Sequence, residues 1–277
     1  MDFGGKEYFL KVLKFEANEI SVSTNYMKRL KTIVRKAKVY LFQGSKYECP
    51  FCGYKSSKLG TFGFDLPVIL EKEIVGSGLR RCRCYKCNAI DRERLIYAYL
   101  EYESRFFMEK SEITTLHVSP EKHLSTYLSK QNLKEYIKGD LFVGRYSYPE
   151  DVVNMDITEI PYPDNYFDLI ICNHVLEHIT NDHQAMTELY RVLKPSGIAI
   201  LQVPISLQLQ HTYEDELVID PKDREREFGQ YDHVRIYAQD YADRLVAAGF
   251  QINEFSLSSK YPKLGLNPKE KLFIGNK

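Results

Sequence analysis

The chain has 277 residues, with 38 Lys+Arg against 38 Asp+Glu and a hydrophobic fraction of 44%. Zero formal net charge argues against a protein built mainly to coat nucleic acid. No apolar run approaches the length of a membrane span, so no integral membrane segment is expected, and the length leaves room for one large domain and a smaller module. The first residues are interrupted by Lys6, Glu7, Lys11, Lys14 and Glu16, unlike a signal peptide, and a cytoplasmic location is expected.

Residues 1–48 read as a basic, amphipathic extension. Tyr8, Phe9, Leu10, Val12, Leu13 and Phe15 fit an edge strand or a short helix. Residues 28–46 carry seven basic side chains and no acidic one, while Leu30, Ile33, Val34, Ala37 and Leu41 recur at helical spacing. Such a helix packs with a solvated basic face, or contacts RNA or an anionic membrane surface.

Residues 49–110 read as a zinc-finger-like module with a connecting helix. Cys49-Pro-Phe-Cys52-Gly53 and Cys84-Tyr-Lys-Cys87 are two Cys-x-x-Cys knuckles separated by 31 residues. Four thiolates in this pattern suit a tetrahedral structural zinc with no open position, and Gly53 suits the turn that brings backbone N–H groups to sulfur. The alternative is four reduced, buried cysteines. The separation exceeds the usual 15–20 residues, so the module carries an insertion. Cys82 is a spare thiol. Residues 90–103 are expected to be helical, with Arg92 and Arg94 facing either a substrate or solvent.

From 111 to 277 strands alternate with helices, which predicts a Rossmann-like, doubly wound parallel α/β sheet. Strand candidates are 114–118, 136–138, 152–155, 167–172 and 197–205, with a closing pair at 250–258 and 271–277. Ser119-Pro120-Glu121 reads as N-cap, first-turn proline and first-turn acid of a helix through Leu124 and Leu128. A helix through Met186 and Leu193 is stopped by Pro195 and Gly197, and 237–248 is the last helix. Asp156, Asn173 and His174 follow apolar runs at strand ends, where side chains of a parallel sheet face the ligand crevice.

This region resembles the class I S-adenosylmethionine-dependent methyltransferases. The resemblance rests on Asp156-Ile157 with Pro-Tyr-Pro-Asp-Asn-Tyr-Phe-Asp, on Asn173-His174-Val-Leu-Glu177-His178-Ile, and on Leu193-Lys-Pro-Ser-Gly197. The four-cysteine module followed by Asp91-Arg-Glu-Arg94 is similar to a subgroup of bacterial methyltransferases. The resemblance implies S-adenosylmethionine as cofactor, with Asp140 on the ribose diol, Asp156 and Ile157 at the adenine, and Asn173 and His174 beside the sulfonium. His117, Ser119 and Glu121 stand where the family has a glycine-rich loop. The stretch Leu116–Glu121 contains no glycine, which crowds the crevice. A cofactor would then sit at the helix N-terminus, with Glu121 meeting its amino group.

Methyl transfer to a hydroxyl is helped by a general base. His233, in a long polar stretch between the fifth strand and the following helix, is the first candidate, with His174 and His178 behind it. The acceptor is expected to be a small molecule or saccharide. The alternatives are an RNA methyltransferase using the zinc module and basic segment, and a non-catalytic binding protein whose altered loop no longer takes cofactor.

Overall fold

The computed structural model describes residues 24–104, 106–109, 112–144 and 147–277. The chain forms two units, Met1–Phe42 and Gln43–Lys277. In the first, helix α1 (Thr24–Leu41) forms where the basic amphipathic pattern predicts it, with Leu30, Val34, Ala37 and Leu41 half-buried and Ile33 exposed. The strand or helix expected around Tyr8–Phe15 lies outside the described residues. Among them no helix is long and apolar enough to cross a membrane.

The larger unit begins with the cysteine module. Strand Gln43–Glu48 pairs antiparallel with Lys55–Ser56 around the first knuckle, and Gly60–Phe62 pairs with Arg80–Arg83 before the second. The insertion between knuckles holds a short helix, Pro67–Glu71, and a strand, Ile74–Val75, that pairs antiparallel with Ile205–Ser206. Ser206 Oγ donates to the Lys72 carbonyl at 2.6 Å. Val68, Ile69, Ile74, Phe228 and Ile236 close a small core beneath it.

Helix α2 (Asp91–Ala98) ties this module to the sheet. Asp91 takes a bidentate ion pair from Arg80, at 2.7 Å on both oxygens. Glu93 accepts from the Ile90 amide at 3.0 Å and faces His123 Nδ1 at 2.9 Å, and His123 Nε2 faces the Cys87 carbonyl at 2.9 Å. Arg94 is 1% exposed and donates to the carbonyls of Leu264, Ala89 and Cys82 at 2.6, 2.9 and 2.6 Å. It therefore faces neither substrate nor solvent. A buried guanidinium is tolerable because its donors meet carbonyl oxygens that would otherwise be stranded themselves.

Seven strands form the main sheet: β1 (Ile113–Val118), β2 (Leu133–Asp140), β3 (Val152–Asn154), β4 (Phe167–Asn173), β5 (Leu193–Gln202), β6 (Gln251–Phe255) and β7 (Leu272–Asn276). Their spatial order is 3-2-1-4-5-7-6. The first five are parallel, and β7 runs antiparallel to β5 and β6. Period-two alternation buries both faces. Leu116, Ile170 and Leu201 enter one core with helices α4 (Asp182–Val192) and α6 (Tyr241–Ala247). Ile113, Leu169 and Ile200 enter the other with α2 and α3 (Lys122–Leu128). Helix α5 (Pro221–Phe228), N-capped by Asp220, lies in the polar stretch before residue 237.

Three local expectations are corrected. Ser119 is not the N-cap of α3: it takes a left-handed φ of 47°, and Glu121 is the N-cap. Helix α4 ends at Val192, with β5 starting at once; the register shift between Leu193 and Ile198 absorbs Pro195 and Gly197. A Cβ on Gly197 would lie 3.0 Å from the Asp168 carbonyl, so the bend requires glycine. Helix α6 begins at Tyr241 because Tyr237 is buried in an extended segment, its hydroxyl on Asp182 at 2.7 Å.

Replacing Arg94 with Met should strand three buried carbonyls and cost about 3 kcal/mol, a fall in Tm on the order of 10 °C. Arg92→Met, at a half-buried position of the same helix, should cost much less. Thermal unfolding of the two variants checks this.

Candidate active site

β1 and β4 are neighbours, yet the chain leaves β1 in one direction and β4 in the other, so their C-terminal ends open a crevice. It is a cleft of about 660 Å³, lined by Ser119, Asp140, Met155, Asp156, Ile157, His174, Val175 and His178 among others. Ser119 and His174, which follow β1 and β4, both adopt left-handed backbone, at φ 47° and 56°. The geometry that glycine usually supplies is thus reached without it, at a cost of roughly 1–2 kcal/mol per residue. The turn after β1 is fixed by the Ser119 amide donating to the Gly139 carbonyl at 2.8 Å, and that after β4 by the His174 amide on the Gln202 carbonyl at 2.7 Å.

Asp140 ends β2 half-buried on the cleft wall, accepting from Ser119 Oγ at 3.3 Å; burial raises its carboxyl against that hydrogen bond. Asp156 lines the cleft while its Oδ1 accepts from the Thr158 amide and hydroxyl at 2.8 and 2.7 Å, so it also closes an Asx-turn. Ile157 is buried against the main core and contributes to the wall.

His117, Glu121 and Asn173 are placed differently. His117 is fully buried between the Tyr136 hydroxyl at 2.8 Å and Glu121 at 3.0 Å, and Asn173 donates to the other Glu121 oxygen. Burial would raise the Glu121 carboxyl, but the His117 hydrogen bond and the nearby His117 and Arg92 charges hold it below the ordinary range. None of the three lines the cleft; they form a polar layer behind it that braces the ends of β1 and β4.

A second pocket, of about 520 Å³, lies on the other side of His174 and His178, which line both. Its walls come from the Phe62–Phe64 and Gly76–Arg83 segments of the cysteine module, Arg92, Glu177, Gly229, Gln230 and His233. Gly76, at φ 86°, lets the insertion approach; a Cβ there would lie 3.2 Å from Glu270 Oε1 and 3.4 Å from His174 Cε1. His174 Nδ1 faces Glu177 Oε1 at 3.4 Å, and among the described residues its buried Nε2 has no hydrogen bond. The His178 and His233 rings meet edge to face at 4.7 Å. Burial lowers His174 and pushes His233 down to about 4, so both are neutral near pH 7. For Glu177 burial works upward, but the His174 hydrogen bond and the surrounding imidazoles bring it to about 2.

Residues 106–201 match the family described as "Methyltransferase domain". This segment is a methyltransferase domain. The chain is 44% identical over 55 residues to a ubiquinone/menaquinone biosynthesis C-methyltransferase UbiE of Psychromonas ingrahamii, covering 20% of each chain. It is 36% identical over 64 residues to the protein of the same name from Yersinia enterocolitica, covering 23% of this chain and 24% of that one. The chain thus spans about a fifth of the length of these curated relatives. Among solved structures, a SAM-dependent methyltransferase from Archaeoglobus fulgidus shares 14% identity over 67% of this chain and 94% of that one, with a TM-score of 0.44.

The methyltransferase domain is joined to four sulfurs that gather as their spacing predicts. Cys49 and Cys87 Sγ are 3.6 Å apart and Cys52 and Cys84 Sγ 3.7 Å. Bonds of 2.3 Å to a tetrahedral zinc place sulfurs about 3.8 Å apart. The knuckles are near copies: Gly53 N donates to the Cys49 carbonyl and Asn88 N to the Cys84 carbonyl, both at 2.9 Å, with φ 66° and 71°. Hydrogen bonding among the sulfurs pulls the Cys84 thiol down and raises those of Cys49 and Cys87, as thiols that share protons do. Cys82 is 1% exposed, and burial pushes its thiol up to about 12, so it is a packing residue.

Sequence reasoning quoted Glu177 within a motif without giving it a role, and missed Asn88 and the insertion's part in the second pocket. The available signal for Glu177 was its place between His174 and His178. Asn88 could have been found as the commonest non-glycine residue in left-handed turns.

Proposed function

We propose that the chain transfers a methyl group from S-adenosylmethionine to a small-molecule acceptor held in the second pocket. The observation that carries this reading is the sharing of His174 and His178 between the two pockets, which makes them the boundary a methyl group would cross. The cleft volume suits a cofactor of this size. Ser119 supports binding over the non-catalytic alternative, because the glycine-free loop still reaches left-handed geometry. The relatives are named for ubiquinone and menaquinone biosynthesis, which favours a small molecule over RNA; nothing about the second pocket singles out a saccharide.

The cofactor supplies a methyl carbon already activated by its sulfonium. Asp140 accepts from vicinal hydroxyls, Ile157 and Met155 pack against a flat ring, and Asp156 accepts from an amino group at the rim. His117, Glu121 and Asn173 act behind the wall by holding the turns that carry Ser119 and His174. Of the three candidate histidines, His174 best suits proton removal: Glu177 orients its Nδ1 and leaves Nε2 unpaired at the boundary. His178 and His233 line the acceptor side. Holding acceptor and methyl donor in line across this boundary supplies most of the catalysis.

We also propose that Cys49, Cys52, Cys84 and Cys87 hold a structural zinc, which supports the second pocket by fixing the hairpins on its module side.

Asp140→Ala should weaken S-adenosylhomocysteine binding by roughly 10- to 100-fold, from the loss of hydrogen bonds to a charged acceptor, measured by calorimetry. No heat with the parent protein either would overturn the enzyme reading. His174→Gln should leave that affinity within about twofold and lower kcat on the true acceptor by about 10²–10⁴. Cys84→Ser should abolish the intense thiolate-to-metal absorption of cobalt-substituted protein and lower the Tm, while S-adenosylhomocysteine binding persists.

A further inference from the structure

Glu177, His178 and His233 each offer a ligand atom, and these atoms lie within 4.8 Å of one another at the second pocket. The two segments that carry them are pinned together by the Val234 amide, which donates to the Glu177 carbonyl at 3.0 Å, and the turn that bears His233 is closed by its own amide donating to the Gln230 carbonyl at 3.2 Å. Glu177 is 2% exposed; His174 engages its Oε1, and among the described residues its buried Oε2 has no hydrogen bond. His178 Nδ1 faces the Asp232 carbonyl at 3.3 Å and its carboxylate at 3.6 Å, which fixes the ring and leaves Nε2 as the free nitrogen. His233, 6% exposed, stands edge to face with that ring.

We propose that Glu177, His178 and His233 hold a divalent transition-metal ion, open on the side of the second pocket. A buried carboxylate oxygen without a partner demands a cation or a donor, and two imidazoles beside it make a mixed nitrogen and oxygen set. Two histidines and one glutamate are the ligands of an open, four-coordinate zinc-type site, in which the remaining position takes water or a substrate heteroatom. Magnesium and calcium are disfavoured, because they prefer oxygen ligands in greater number. The Asp232 backbone carbonyl, on His178 Nδ1, is the kind of outer acceptor that commonly orients a metal-bound histidine. Glu177 serves both roles without conflict, with Oε1 on His174 and Oε2 on the ion. The ion's function rests on the methyltransferase reading: it would bind the acceptor's hydroxyl or amino group through the open position, next to His174. The site is distinct from the four-cysteine cluster in place and in chemistry.

The test strips the full chain of metal, reloads it with cobalt(II), and counts cobalt per chain by elemental analysis alongside the visible spectrum. The parent protein should hold one more cobalt than Glu177→Gln or His233→Ala, while thiolate-to-cobalt absorption from the four cysteines stays unchanged in all three. His178→Gln, at a partly exposed position, is the third variant and should also lose one. Equal counts in parent and in variants with the parent's circular dichroism and Tm would overturn the proposal. X-ray absorption on zinc-loaded parent protein needs no variant. A nitrogen/oxygen shell near 2.0 Å beside the sulfur shell near 2.3 Å supports the site; a sulfur shell alone overturns it. The count is independent of S-adenosylhomocysteine calorimetry, so failure of the metal site and failure of the methyltransferase reading are separate results.

Discussion

The buried Arg94 guanidinium is the constraint on which the second pocket depends. It satisfies carbonyls of the cysteine module, at Cys82 and Ala89, and of the last loop before β7, at Leu264 and Gly265. With the Arg80–Asp91 pair and the Glu93–His123–Cys87 relay, it makes one turn of α2 a polar joint between two folding modules. A joint of hydrogen bonds differs from an apolar one: it fixes orientation as well as proximity, because donors and acceptors tolerate little rotation. That orientation brings the Phe62–Phe64 and Gly76–Arg83 segments over His174.

The sheet has its own division of labour. Strands β1 and β4 are buried on both faces and set the positions of their ends to within the rigidity of the core. The residues immediately after them carry both the polar groups and the backbone strain. Ser119 and His174 pay this locally, and the layer of His117, Tyr136, Glu121 and Asn173 keeps the two turns from relaxing. Strain concentrated at such a place is usual where a ligand must approach the backbone closely.

Much of this was legible in the residues. The apolar runs of β1, β4 and β5, the acid that ends β2 and the one that follows β3, and the paired knuckles all follow from local pattern, because strand burial and thiol spacing are short-range properties. What escaped was set by distant partners. Arg94 reads as an ordinary surface arginine until Leu264, 170 residues away, supplies its acceptor. His117 and Asn173 sit at strand ends, yet they turn toward each other through Glu121 rather than into the cleft. Ser119 reads as a helix cap because Ser-Pro-Glu suits one; the tertiary demand for a sharp turn after β1 overrides that propensity. The length of the insertion between the knuckles was visible, but its pairing with Ile205–Ser206 was not.

That pairing has a further consequence. One wall of the second pocket is drawn from the 31 residues between two knuckles, whereas the first cleft is drawn mainly from strand ends of the main sheet, with Arg224 and Asp232 at its edge. The two cavities share only a histidine seam. Exchange of that insertion for another would remodel what the second pocket recognises while leaving the strand-end walls of the first cleft in place. The architecture thus separates the part of the molecule free to diversify from the part that is not, with the cysteine cluster as the fixed frame at the root of the variable segment.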